Sequence, residues 1–148
     1  MKKDEKKLKK ETDHRSTLYR LLSSRACTGW EAAERLVQRG LDRSAAEDLV
    51  TEFQNLGLID DRLYAQLFVE GHESWGRERI RGELRRLGIE PDVARSALED
   101  LDEIERAQRL FSAWSDQGLP WEKITSRLMR RGFSGRVIRS LKPNACDW

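Results

Sequence analysis

Leu84-Arg85-Arg86-Leu87-Gly88-Ile89 decides how the rest of this 148-residue chain is read. The same order of a leucine, three residues, a glycine and an apolar residue recurs as Leu36-Val37-Gln38-Arg39-Gly40-Leu41. It recurs again as Leu128-Met129-Arg130-Arg131-Gly132-Phe133. The spacing is that of a helix end. Glycine just past the last turn takes the left-handed backbone that other side chains resist, and the apolar residue after it folds back on the one five positions earlier. Leu41 then meets Leu36, Ile89 meets Leu84 and Phe133 meets Leu128. Phe53-Gln54-Asn55-Leu56-Gly57-Leu58 ends a further helix by the same means.

Helical periodicity extends on both sides of each cap. After the glycines it is carried by Ala45, Ala46, Leu49, Val50 and Phe53, by Val93, Ala94, Ala97, Leu98 and Leu101, and by Val137, Ile138 and Leu141. The helices that end at the caps span about 30–39, 76–87 and 121–131. A further helix precedes each of these, over about 14–24, 61–72 and 102–115. Their apolar stripes are Leu18, Leu21 and Leu22; Tyr64, Leu67 and Phe68; and Ala107, Leu110, Phe111 and Trp114. Thr28-Gly29-Trp30-Glu31 and Ser44-Ala45-Ala46-Glu47 fit capping boxes, and Pro91 and Pro120 fit first turns, where no N–H is needed. No stretch alternates long enough for a strand. The expected architecture is all-α, an elongated tandem array of three three-helix repeats. The expected boundaries are a Lys-rich disordered tail over 1–12, repeats over 13–59, 60–101 and 102–142, and a C-terminal tail over 143–148.

Composition narrows the function. Charged residues make up 36% of the chain, against about 25% in an average soluble protein. Apolar runs such as Leu67-Phe68-Val69 are too short to span a bilayer. The N-terminal Met1-Lys2-Lys3-Asp4-Glu5-Lys6-Lys7 is no secretory signal, and Cys27 and Cys146 make no disulfide framework. A cytoplasmic protein with reduced thiols and no membrane partner is expected. His14 and His72 lack partners at metal-ligand spacing, and Asp60-Asp61 reads as the start of a helix. No catalytic triad or phosphate-cradling loop stands out. The expectation is a non-enzyme without cofactor or metal.

The 28 basic and 26 acidic side chains leave a net charge of only +2, yet they are segregated. Arg77, Arg79, Arg81, Arg85 and Arg86 outweigh Glu78 and Glu83 in one helix. Over 121–142, Lys123, Arg127, Arg130, Arg131, Arg136, Arg139 and Lys142 face Glu122 alone. Acidic residues gather over 42–61 and 90–105. An arginine face suits phosphate, because guanidinium offers a bidentate fork. The plainer alternative is local: arginines at helix C-termini, such as Arg39, Arg86 and Arg131, complement the helix dipole, and Glu78–Arg81 and Glu83–Arg86 suit intrahelical pairs. Trp75, next to the arginines, reads either as a loop anchor or as a surface on which a base stacks.

One stretch also carries a family likeness. Leu58-Ile59-Asp60-Asp61-Arg62-Leu63-Tyr64-Ala65, then Phe68-Val69, then Gly76 and Arg79-Ile80-Arg81-Gly82-Glu83-Leu84-Arg85-Arg86-Leu87-Gly88-Ile89, resembles the RecX family of recombination regulators. The close match runs over 58–98, and the repeat organisation extends it to 14–141. Glu70-Gly71-His72-Glu73-Ser74-Trp75 is shorter and more acidic than the family pattern. The resemblance implies a non-enzymatic helical protein that binds the RecA–DNA filament along its groove and restrains ATPase, strand-exchange and coprotease activities. Resemblance and charge together place contacts to single-stranded or duplex DNA on Arg77, Arg79, Arg81, Arg85, Lys123, Arg127 and Arg130, in a protein expected to be a monomer. Two other classes compete: a helix-turn-helix regulator acting on duplex sites, and a helical adaptor that binds protein only.

Overall fold

The computed structural model of the chain describes residues 2–141, and every regular element among them is helical. The helices are α1 (Lys2–Ser24), α2 (Gly29–Gln38), α3 (Arg43–Asn55), α4 (Asp61–Gly71), α5 (Arg77–Arg86), α6 (Pro91–Leu98), α7 (Glu103–Asp116), α8 (Trp121–Arg130) and α9 (Gly135–Leu141). None is long and apolar enough to cross a membrane. Gly40, Gly57, Gly88 and Gly132 all take positive φ, as the repeated motif requires. Back-folded bonds close three of the caps: Leu41 N–H donates to the Leu36 carbonyl (3.0 Å), Leu58 N–H to that of Phe53 (3.0 Å) and Phe133 N–H to that of Leu128 (3.1 Å). Gly118 makes a cap of the same kind, with Leu119 N–H donating to the Trp114 carbonyl (3.1 Å). Its anchor is tryptophan, so a search for leucine passes over it.

Two compact units emerge from the contacts, one formed by residues 2–64 with 87–90, the other by 65–86 with 91–141. In the first, α1–α3 close on Leu18, Leu36, Ala46 and Phe53, which are fully buried. Burying side chains of the size of Leu or Phe stabilises by about 1.5–3 kcal/mol each. Thr28 caps α2 as expected: its oxygen accepts the Glu31 N–H, and Glu31 accepts the Thr28 N–H. The same hydroxyl, wholly buried, donates to the Leu87 carbonyl (2.6 Å). Asp61, opening α4, accepts the Gly29 N–H (2.9 Å). Gly88 (φ +78°) lies so close to Trp30 that a Cβ there would sit 2.2 Å from the Trp30 Cβ.

Four local expectations need correction. Residues 2–12 are not a disordered tail, because α1 begins at Lys2. Arg15 grips Glu52 of α3 through two bonds (2.9 and 2.7 Å) and Leu18 is buried, so one turn is anchored. Extending an anchored helix through good helix formers is cheap, and Asp4 and Glu5 suit its positive end. Ser44 does not cap α3. The helix starts at Arg43 behind Asp42, whose side chain makes no capping bond. Leu67 is 53% exposed, and the buried face of α4 is Ala65 and Val69. Pro120 sits one position before the first turn of α8, at its N-cap.

In the second unit α7, α8 and α9 enclose Ala107, Trp114, Ile124, Leu128, Phe133, Val137 and Ile138. Helix α5 buries Ile80 and Leu84. Its first turn meets the end of α8 backbone to backbone: Gly76 N–H donates to the Arg131 carbonyl (2.7 Å) and Glu78 N–H to that of Gly132 (3.2 Å).

Gly88 and Gly82 should respond to substitution with opposite signs. Gly88→Ala forces a left-handed alanine into Trp30 and should cost roughly 2 kcal/mol or more. Gly82 lies in α5 with nothing within 4 Å of its Cβ direction, so Gly82→Ala should stabilise by up to about 1 kcal/mol. Thermal unfolding of both variants checks this, and equal melting temperatures contradict it. Burial raises the Asp61 pKa, helped by the charges of Asp60, Glu90 and Glu31, and the Gly29 N–H only partly opposes them. A raised carboxyl pKa favours folding while the group is neutral, and that contribution is lost as pH rises through the folded value. Asp61→Asn stays neutral, so its stability relative to wild type should grow between about pH 3 and pH 7. A difference that does not change with pH refutes the assignment.

Candidate nucleic-acid interface

The arginines of α5 do not act as one row. Arg77 is turned toward α7, its Nη2 donating to the Leu101 carbonyl (3.4 Å) and its Nε 4.0 Å from Glu103. Arg81 is paired with Glu78 (2.6 Å), as local helix chemistry allows. Arg85 is exposed. Arg79 lies two residues from both Arg77 and Arg81, which on a helix sends it to the opposite flank. There its guanidinium stacks on Trp75, 3.8 Å from the ring centroid. His72 (4.3 Å between centroids) and Phe68 (5.9 Å) complete the cluster, so Trp75 is the loop anchor of the two readings.

Lys123, Arg127 and Arg130 do share a flank of α8, beside the buried Ile124 and Leu128. All three are exposed, and Glu122 is the sole carboxylate of that helix. Arg131, next in line, joins them at the C-cap. The guanidiniums of Arg127 and Arg131 lie over Trp114 of α7, 5.4 and 5.2 Å from its ring. The Gly76–Arg131 backbone bond sets the Arg79 end of α5 against the Arg131 end of α8. The candidate surface thus comprises Arg79, Lys123, Arg127, Arg130 and Arg131, with Trp75 under Arg79 and Trp114 under Arg127 and Arg131. Elsewhere in the same unit, Glu70, Glu73, Asp100, Asp102 and Glu105 line a cleft of about 580 Å³. Within one unit, one surface is positive and another is mainly negative.

No catalytic constellation appears among these groups. Among the described residues no three His, Cys, Asp or Glu side chains gather as metal ligands. Cys27 is a buried free thiol, pushed up to about 11 chiefly by burial; Cys146 and Lys142 lie outside the described residues.

One residue that matters here carries no sequence signal. Arg106 of α7 donates to the carbonyls of Val69 (3.1 Å), His72 (2.9 Å) and Trp75 (3.5 Å). It satisfies the open end of α4 and holds the loop under Arg79. Burial lowers its pKa, a tendency that Glu73 opposes. Arg106→Ala should cost about 1.5–3 kcal/mol, as expected for bonds to a charged donor. Arg106→Lys should rescue little, since one ammonium lacks the fork that spans the carbonyls. Melting temperatures of the two variants decide it; a lysine variant as stable as wild type would show that charge alone suffices.

Comparison with known proteins agrees with this architecture. A family model described as the second three-helix domain of RecX matches residues 60–98. A regulatory protein RecX from Mycobacterium sp. (strain KMS) is 36% identical over 97 residues, covering 62% of this chain and 53% of that protein. One from Streptomyces coelicolor is 33% identical over 141 residues, covering 86% of this chain and 75% of its own length. The crystal structure of RecX from Lactobacillus salivarius superimposes with a TM-score of 0.76 over 90% of this chain and 95% of that one, at 22% identity, and shows the shared fold. The chain spans about half the length of several of the curated relatives it matches. On the Streptomyces match, which covers most of both proteins, the chain belongs to the RecX family.

Proposed function

We propose that this chain is a non-enzymatic regulator that binds the RecA–DNA filament in the cytoplasm and restrains its ATPase, strand-exchange and coprotease activities. The observation that carries the reading is the α5–α8 surface, where Arg79, Lys123, Arg127, Arg130 and Arg131 gather in a member of the RecX family. Guanidinium groups pair with phosphate in two-pronged fashion, and each neutralised phosphate releases counterions. Arg85 extends the contact. Arg77 and Arg81, engaged with Glu103 and Glu78, contribute less. The acidic cleft suits basic surface on the protein coat of the filament, so a single monomer addresses both components.

Purified protein titrated into RecA on single-stranded DNA should slow ATP hydrolysis. The triple variant Lys123→Ala, Arg127→Ala, Arg130→Ala should require a markedly higher concentration for the same effect, and Arg77→Ala should behave nearly as wild type. Unchanged hydrolysis at saturating wild-type protein overturns the function. Full inhibition by the triple variant overturns the assignment of the surface.

A further inference from the structure

We infer that Trp75 and Trp114 are platforms for arginine, and that the basic surface therefore grips the phosphodiester backbone and reads no bases. The inference rests on the reading above that this surface meets nucleic acid. An indole serves single-stranded nucleic acid only if one of its faces is open to a base. Trp75 has the Arg79 guanidinium 3.8 Å from its ring and the His72 ring 4.3 Å away. Trp114 is 8% exposed and lies beneath Arg127 and Arg131. Both rings are already engaged by the protein's own side chains.

The same stacking prepares the arginines for a different ligand. A guanidinium lying over an indole still has N–H groups free to pair with phosphate oxygens. Holding the side chain in place beforehand removes part of the ordering cost of binding. Three of the five basic side chains at the surface are held in this way. Neither α5 nor α8 contains the Asn or Gln that would pair with adenine edges. Trp75 and Trp114 thus position the residues that touch the ligand, and the ligand chemistry is a run of phosphodiesters.

The test compares the full chain on three labelled strands of equal length: mixed sequence, guanine-rich, and abasic deoxyribose-phosphate. All three should bind within about threefold of one another, with affinity falling steeply as salt rises. Arg79→Ala should lower the salt slope by about one unit. Trp75→Leu should reproduce that loss and add nothing when Arg79 is already alanine. Trp75→Phe, which keeps a ring beneath the guanidinium, should restore the slope, an outcome that a purely structural role for Trp75 does not produce. Binding of the abasic strand more than tenfold weaker, or a comparable preference for guanine, overturns the inference and leaves the nucleic-acid reading intact. Binding to polyglutamate but to none of the three strands overturns the nucleic-acid reading itself.

Discussion

Two glycines touching through their backbones set the geometry on which the candidate surface depends. A Cβ on Gly76 would lie 2.5 Å from the carbonyl of Gly132, and one on Gly132 would lie 2.4 Å from Arg79. With no side chain on either, the open N–H groups at the start of α5 reach the open carbonyls at the end of α8. Both helix ends satisfy groups that otherwise need water, and the positive end of one dipole faces the negative end of the other. Arg79 and Arg131 flank this junction, so the placement of basic side chains follows from a contact that carries no charge of its own.

Much of the helical framework is legible in the sequence because its signals are local. The glycine caps at Gly40, Gly57, Gly88 and Gly132 need only the residues four positions before and one after, and all four take the expected backbone. The Thr28 capping box is equally local. Two of the readings that failed depend on distant partners. The extent of α1 depends on Arg15 reaching Glu52 of another helix. The exposed side of α4 depends on which neighbours its faces meet, so periodicity alone misplaces Leu67.

The candidate site divides along the same line. That Lys123, Arg127 and Arg130 share a flank follows from helical spacing. Arg79 parts from Arg77 and Arg81 for the same geometric reason, although counting arginines in a helix obscures it. Nothing near Trp114 in the sequence announces the two guanidiniums above it, and nothing near Arg106 announces the three carbonyls it binds. A net charge of +2 is equally silent about direction. Several ion pairs here are exposed, such as Arg81–Glu78 and Arg109–Glu105, and such pairs add at most about 1 kcal/mol each. The charge therefore adds little to holding the fold together.

The central claim is that backbone contact at Gly76 and Gly132 assembles a surface for nucleic acid. It is tested most directly by measuring the affinity of Gly76→Ala for single-stranded DNA at fixed salt, with circular dichroism to establish that the helices persist. The substitution changes no charge. Weaker binding with helix content preserved is the predicted result, because the added methyl parts α5 from α8 and with them Arg79 from Arg131. Affinity equal to that of wild type would contradict the account.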